Sequence, residues 1–216
     1  NGERYTDYRF NGTSNITLYV SWNPKTYKVI LKLSNDDENP VEVEVKYRRE
    51  FSLGKAINND AARVFKGWYT ELNGQGISYT DAEGNSGSIF TSTKDITLYA
   101  GWNIVLKFEA ATTGSNAYQV KKGADIASVN EVTIPEVYNG IKVTQLNAMA
   151  FADCKNLITV NVPDTITLLA TSSLDNASSG TGSAFQGADK LENVNIYETE
   201  SADKGSYSSY EGAVYE

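Results

Sequence analysis

The chain has 216 residues, a formal net charge of −8, no histidine and a single cysteine, Cys154. The missing histidine excludes Ser-His-Asp triads, Cys-His dyads and zinc sites that need imidazole, and one thiol cannot form an intrachain disulfide. The acidic charge disfavours nucleic acid, and no apolar run approaches the roughly 20 residues that span a bilayer. We therefore expect no enzyme, cofactor, metal, nucleic-acid partner or membrane-spanning segment in these residues.

A short phrase occurs twice in the first half of the chain. Residues 15–22 read NITLYVSW, and residues 95–102 read DITLYAGW. An internal repeat of this kind is typical of modular repeat proteins. We therefore expect the chain to be part of a larger repeat protein, with residues 1–22 forming the end of a preceding copy.

The first predicted elements are two strands joined as a hairpin. Apolar residues alternate with polar ones over 27–33 and again over 41–47, which is the period of a half-buried strand. The bridge at 34–40 is rich in turn formers, and Pro40 cannot donate to a strand ladder. The pattern therefore predicts that the two strands pair through a loop.

Two further strands complete this predicted module. A helical turn capped by Asn59 or Asp60 is expected before them. The third strand covers residues 64–69 and the fourth covers residues 96–102. A polar, glycine-rich stretch at 72–88 separates the two strands.

The motifs in these strands resemble a known family. Residues 65–70 read FKGWYT, and residues 96–102 read ITLYAGW. This pair of motifs resembles the Listeria-Bacteroides repeat, also called the internalin-B B-repeat. The resemblance implies one whole small, β-grasp-like module at 23–103, of a kind strung in series on bacterial surface proteins, and the end of a preceding module at 1–22.

The last third of the chain contains a second repeat. Residues 150–162 align with 184–196, and an insertion rich in serine and glycine at 172–183 accounts for the wide spacing. This AF-x-x-C-x-x-L-x-x-V-x-V-P pattern resembles the BspA-type leucine-rich repeat of bacterial surface antigens. The resemblance implies a short solenoid at 118–216 that continues in a longer parent chain, and residues 104–117 are expected to be a connector.

The expected fold is therefore mainly β (α+β). We expect an elongated modular protein, in which a small β-grasp-like repeat module is followed by a short leucine-rich-repeat solenoid.

Alternation in the repeat strands selects a candidate binding face. It directs Leu157, Val160 and Val162 inward and sends the residues between them to the outer face of the sheet. Stacked copies would then present a small polar ladder to a partner, and a plain solubilising surface is the alternative. The candidate residues are Glu131, Thr133, Thr159, Asn161, Asn193 and Asn195.

Other features admit both a functional and a structural interpretation. The three tryptophans could stack on sugars, but Trp22 and Trp102 end equivalent strands, which favours packing in a core or at a module junction. The acidic runs at 36–38 and 81–85 could bind calcium, but they lack the spacing of a calcium loop, which favours solvated turns. Cys154 lies among repeat core positions, which favours a buried structural thiol.

The two resemblances imply an extracellular protein of the bacterial cell surface, and the missing catalytic residue types favour a non-catalytic role. The β modules would act as a spacer, and the leucine-rich repeats would mediate adhesion or protein binding to host or matrix. A glycan-binding accessory region of a larger secreted protein is one alternative, and a purely structural stalk is another. The expected partner is a protein or glycan ligand at the cell surface.

Overall fold

The structure is a computed structural model that describes residues 15, 17, 23–112, 116–169, 184–202, 205, 208–210 and 213–215. The predicted end of a preceding module, apart from residues 15 and 17, lies outside these described residues, and so does the predicted insertion at 172–183. Trp22 is also outside them, so its equivalence with Trp102 stays a prediction.

Strands dominate the described residues, which confirms the mainly-β prediction. The only helical elements in this part of the chain are two 3₁₀ turns, Leu72–Gly74 and Ile126–Ser128, so it lacks the α component of the predicted α+β class. The first strands are β1 (Thr26–Lys32), β2 (Val41–Lys46), β3 (Arg63–Glu71), β4 (Gln75–Ser78) and β5 (Ile96–Ile104). The later strands are β6 (Leu106–Ala110), β7 (Ala117–Lys122), β8 (Glu131–Thr133), β9 (Val137–Tyr138), β10 (Ile141–Leu146), β11 (Thr159–Pro163), β12 (Leu168–Leu169), β13 (Asn193–Tyr197), β14 (Ser208–Tyr210) and β15 (Ala213–Tyr215).

The first five strands form one mixed sheet in the order β2-β1-β5-β3-β4. β1 and β2 pair antiparallel, which confirms the predicted hairpin. β1 also pairs with β5 in parallel, and β3 pairs antiparallel with the other side of β5. The central pair therefore joins the first strand to the last. We call residues 23–104, which contain this sheet, the first unit.

One face of this sheet forms the first hydrophobic core. Val29 and Leu98 in the central strands are fully buried, and Phe90 belongs to the same cluster at 1% exposure. The predicted alternation fails at the strand ends. Leu33 lies beyond the end of β1 and Val41 begins the edge strand β2, so both side chains are exposed.

The predicted connector at 104–117 contains a strand, which corrects the sequence analysis. β6 lies within it and pairs antiparallel with β7 to begin a second sheet, ordered β12-β10-β7-β6, with β9 paired to β10. Val105 and Leu106 are each 1% exposed, because these apolar residues belong to a second hydrophobic core. The linker-like composition is confined to the segment between β6 and β7.

A third sheet contains the parallel strands β8, β11 and β13. β11 pairs with β13 at the same offset that aligns residues 150–162 with 184–196. The rings of Phe151 and Phe185, which occupy aligned positions, stack with centroids 5.9 Å apart and planes 8° apart. We call residues 105–202, which contain the second and third sheets, the second unit. The second residue of each parallel strand lies in the second hydrophobic core: Val132, Val160 and Val194.

Hydrogen bonds join the two units. The carbonyl of Ala62 accepts the N–H of Val105 at 2.8 Å. The N–H of Ile104 donates to Asp125 Oδ2, and its carbonyl accepts the N–H of Asp125, both at 2.8 Å. Ala62 is itself part of the second core, whereas Trp102 packs against the first core. The junction is therefore held by these hydrogen bonds and by the packing of Ala62 in the second core.

The turn that presents Ala62 is held by the side chain of Asp60. Its Oδ1 accepts the N–H of Ala62 at 3.0 Å, and its own N–H donates to Asn58 Oδ1 at 2.6 Å. The chain therefore makes a tight turn here, without the predicted helical character, because these side-chain bonds compete with helical ones.

Candidate binding face and cleft

The structure brings the six predicted site residues together on three neighbouring strands. The third sheet aligns them into two rows, because its parallel strands pair without a register shift. Neighbouring strands lie about 4.8 Å apart, so side chains within each row are within reach of one another. The first row is Glu131, Thr159 and Asn193, and the second row is Thr133, Asn161 and Asn195.

The second row is bonded to itself. Asn195 Nδ2 donates to Asn161 Oδ1 at 3.1 Å. Asn161 Nδ2 donates in turn to Glu131 Oε1 at 2.8 Å and to Thr133 Oγ1 at 3.1 Å. Both hydrogens of the Asn161 amide and its carbonyl oxygen are therefore engaged within the sheet. This row stabilises the register of the strands.

Two residues of the first row have side-chain polar groups that are not engaged within the sheet. Within the part of the chain that the structure describes, the Thr159 hydroxyl and the Asn193 amide have no protein hydrogen-bond partner. Both side chains are half-buried, and Thr159 lies between the exposed Glu131 on β8 and Asn193 on β13. The alternation pattern predicted residues that the structure aligns on neighbouring strands, but it could not separate these two residues from the engaged amides beside them.

Tyr197 is a residue of this face that the sequence analysis missed. It follows Asn193 and Asn195 at the same period of two, opposite Pro163. Its hydroxyl donates to the carbonyl of Ile134 at 2.7 Å, so the side chain reaches past β11 toward the end of β8. Burial raises the pKa of Tyr197 above its usual value. The alternation itself was the signal that could have revealed it.

Asn161→Asp is expected to destabilise the chain by about 1–2 kcal/mol at pH 7, because it removes a donor and sets a second carboxylate beside Glu131. The like charge raises the pKa of the new carboxyl in the folded state. The electrostatic loss of stability therefore acts at a pH above the pKa that the new carboxyl has in the unfolded chain. It disappears as the pH falls and this carboxyl is protonated. Urea denaturation at pH 7 and pH 4 measures this change.

Asn193→Asp is the matched control for this substitution. It makes the same chemical change on the same sheet face, but β11 separates it from Glu131. If Asn193→Asp lowered the free energy of unfolding as much as Asn161→Asp does, the stabilising role of the hydrogen bonds in the second row would be contradicted.

A cleft of about 600 Å³ lies between the two units, next to the first row. Val64 and Asn103, which face each other across β3 and β5, line its wall on the first unit. Asn130, Glu131 and Asn156 line the wall on the second unit. Glu131 therefore belongs both to the polar face and to the cleft.

Trp68 is enclosed in the first core. It is 4% exposed, and its Nε1 donates to the carbonyl of Gly54 at 2.9 Å. The ring of Phe65 packs edge-on against it and against Trp102. Packing is therefore the role of Trp68 and Trp102, and the face of Trp68 is closed to a sugar ring.

The acidic runs that were considered as calcium ligands instead stabilise turns. Asp37 accepts the N–H groups of Leu33 and Asn39, which lower its pKa. Asp81 Oδ1 accepts the N–H groups of Glu83 and Asn85, both at 2.9 Å. These oxygens are engaged by backbone donors. Over the described ranges, no group of three or more Cys, Asp or Glu side chains is placed to hold a metal ion.

Cys154 lies in the second core at 4% exposure, as predicted for a structural thiol. Its Sγ lies 3.8 Å from the carbonyl oxygen of Ala152. Burial raises the pKa of the thiol, which leaves less of the reactive thiolate at neutral pH.

Comparison with known proteins finds no matching protein-family model and no matching curated sequence. The two family resemblances therefore stay predictions. No helix in the described part of the chain has the length and hydropathy needed to cross a membrane.

Proposed function

We propose that the chain is a non-catalytic, extracellular segment of a bacterial cell-surface protein. The first unit is a β-grasp-like spacer module, and the second is a BspA-type leucine-rich-repeat unit, arranged in series. The second unit mediates adhesion by binding a host or matrix protein.

Two observations support the spacer assignment. The sheet of the first unit, with its parallel pair at the centre, has its own hydrophobic core, as expected of a self-contained module. The motif residues Phe65, Trp68 and Trp102 are packed in or against the core of this sheet. Residues that define the resemblance are thus used for folding, which is expected of a spacer.

The proposal that the second unit binds a protein depends on the first row. Three parallel strands present Glu131, Thr159 and Asn193 side by side, and the last two have uncommitted hydrogen-bonding groups within the described residues. The bonded second row fixes their spacing, so little ordering entropy is lost when a partner engages them. A preorganised polar strip on a sheet is suited to a protein surface.

The alternative of a glycan-binding region built on tryptophans is weakened, because Trp68 is buried and cannot stack on a sugar ring. A purely structural stalk would leave the first row without a ligand. The two proposals differ in one measurable property, which is whether this face binds anything.

The double variant Thr159→Arg/Asn193→Arg tests the proposal. Binding of the full chain to a panel of immobilised extracellular-matrix proteins is measured by surface plasmon resonance. We expect at least one matrix protein to bind, and the two bulky cations to weaken that binding by about tenfold or more.

Ser88→Arg/Thr93→Arg is the matched control, because both residues are exposed in the first unit and the charge change is the same. Circular dichroism establishes that each variant is folded. Matrix binding that survives the first-row substitutions, or that the control abolishes equally, contradicts the proposed face, and a panel without any bound protein counts for the stalk.

A further inference from the structure

The cleft between the units combines wide access with polar walls from both sides. Its volume of about 600 Å³ falls within the range of 300–1,000 Å³ that small-ligand sites occupy. Asn103 lines the cleft on the first unit and Asn130 lines it on the second, and hydrogen bonds at the junction join the two units. A ligand in this cleft would contact both units at once.

Side-chain amides are the prominent polar groups of the cleft. Asn156 Nδ2 donates to the carbonyl of Ala127 at 3.0 Å, which leaves its oxygen free to accept. Within the described residues, the amides of Asn103 and Asn130 have no hydrogen-bond partner. Each amide can donate and accept together, which matches a hydroxyl group because a hydroxyl does the same.

The cleft also offers an apolar surface. Val64 from β3 and Val129 from the second unit contribute to its lining. Sugar rings present C–H groups on their faces and hydroxyls at their edges. Apolar side chains beside amides therefore suit a sugar better than they suit a fully charged ligand.

The charges of the cleft argue against an anion. Lys55 Nζ lies 2.7 Å from Glu83 Oε2, so these two charges offset each other. Glu131 adds a carboxylate, whose Oε1 accepts from Asn161. The lining therefore carries a net negative charge of about one, which disfavours phosphorylated or carboxylated ligands.

We propose that this cleft binds a short, neutral oligosaccharide, with Asn103 and Asn130 hydrogen-bonding to its hydroxyl groups from opposite walls. This site adjoins the proposed protein-binding row and shares Glu131 with it, and it does not depend on the tryptophans. It gives the chain a second ligand class, recognised where the two units meet.

Nuclear magnetic resonance titration of the isotope-labelled full chain tests the proposal. The neutral probes are maltotriose, cellotriose, chitotriose and mannotriose, and the charged probes are sialyllactose and trilysine. We expect at least one neutral trisaccharide to shift the side-chain amide signals of Asn103 and Asn130 saturably, while Asn193 stays unchanged. The charged probes are expected to leave all three signals in place.

Asn103→Ala/Asn130→Ala is expected to weaken trisaccharide binding by about tenfold, because two hydrogen bonds are lost. Asn193→Ala serves as the control and is expected to bind as the unchanged chain does. Asn130→Ala alone, at an exposed position, replaces the double variant if that variant does not fold.

Three results would overturn the proposal: no neutral trisaccharide binding at millimolar concentration, binding that both Asn substitutions leave intact, or tighter binding of trilysine. If the oligosaccharide proposal fails, the proposal that the first row binds a protein still stands, because Thr159→Arg/Asn193→Arg tests that row alone.

Discussion

Phe151→Ala is expected to lower the free energy of unfolding by about 3–5 kcal/mol, the range for removing a fully buried phenylalanine ring. Phe151 has no exposed surface, and its ring stacks on that of Phe185. Its N–H also donates to the carbonyl of Ala184 at 2.7 Å, so the ring is held at the contact between the two aligned segments. Truncation leaves a cavity that the neighbouring backbone cannot readily close.

Urea denaturation measures this loss, and hydrogen exchange locates it. Phe185→Ala is the comparator, because it removes the same ring from the aligned position, where the side chain is only partly buried. We expect a clearly smaller loss for it, and faster exchange in the third sheet for Phe151→Ala. Equal losses for the two variants would contradict the packing described here.

Local periodicity predicted the positions of some of the strands. Alternation located β1, β2 and β11, because a strand with one buried face must place apolar side chains at every second residue. The same rule selected the outer residues Thr159 and Asn161 and their counterparts on β13. These side chains lie in rows because β11 and β13 pair at the same spacing that separates the two aligned segments in the sequence.

Features that depend on long-range contacts were beyond the sequence analysis. The polar composition of the segment after β6 favours a connector at 104–117, although Leu106 and Phe108 alternate with charged residues. The cleft arises only when Asn103 and Asn130, which no local pattern links, are brought to facing walls. The hydrogen bonds of the Asn161 side chain also depend on residues of the neighbouring strands.

Gly67 explains why the FKGWYT motif needs a glycine. Its φ of +140° lies in a region that residues with a side chain rarely adopt. The pairing of β3 with β5 shifts register between Phe65 and Gly67, so the chain bulges at this point. The bulge is followed by Trp68, whose N–H donates to Thr80 Oγ1 at 3.0 Å. The glycine therefore lets β3 approach the segment around Thr80 and carry Trp68 into the core.

Gly67→Ala is expected to destabilise the first unit by about 3 kcal/mol, from backbone strain and from overlap of the new methyl group with the carbonyl oxygen of Thr80. Gly87→Ala is the matched control, because a methyl group there meets no atom within 4 Å. Tryptophan fluorescence during urea denaturation reports on the core around Trp68. A loss that is the same for both glycines would mean that the bulge at Gly67 tolerates a side chain, and the physical account of the motif would then be wrong.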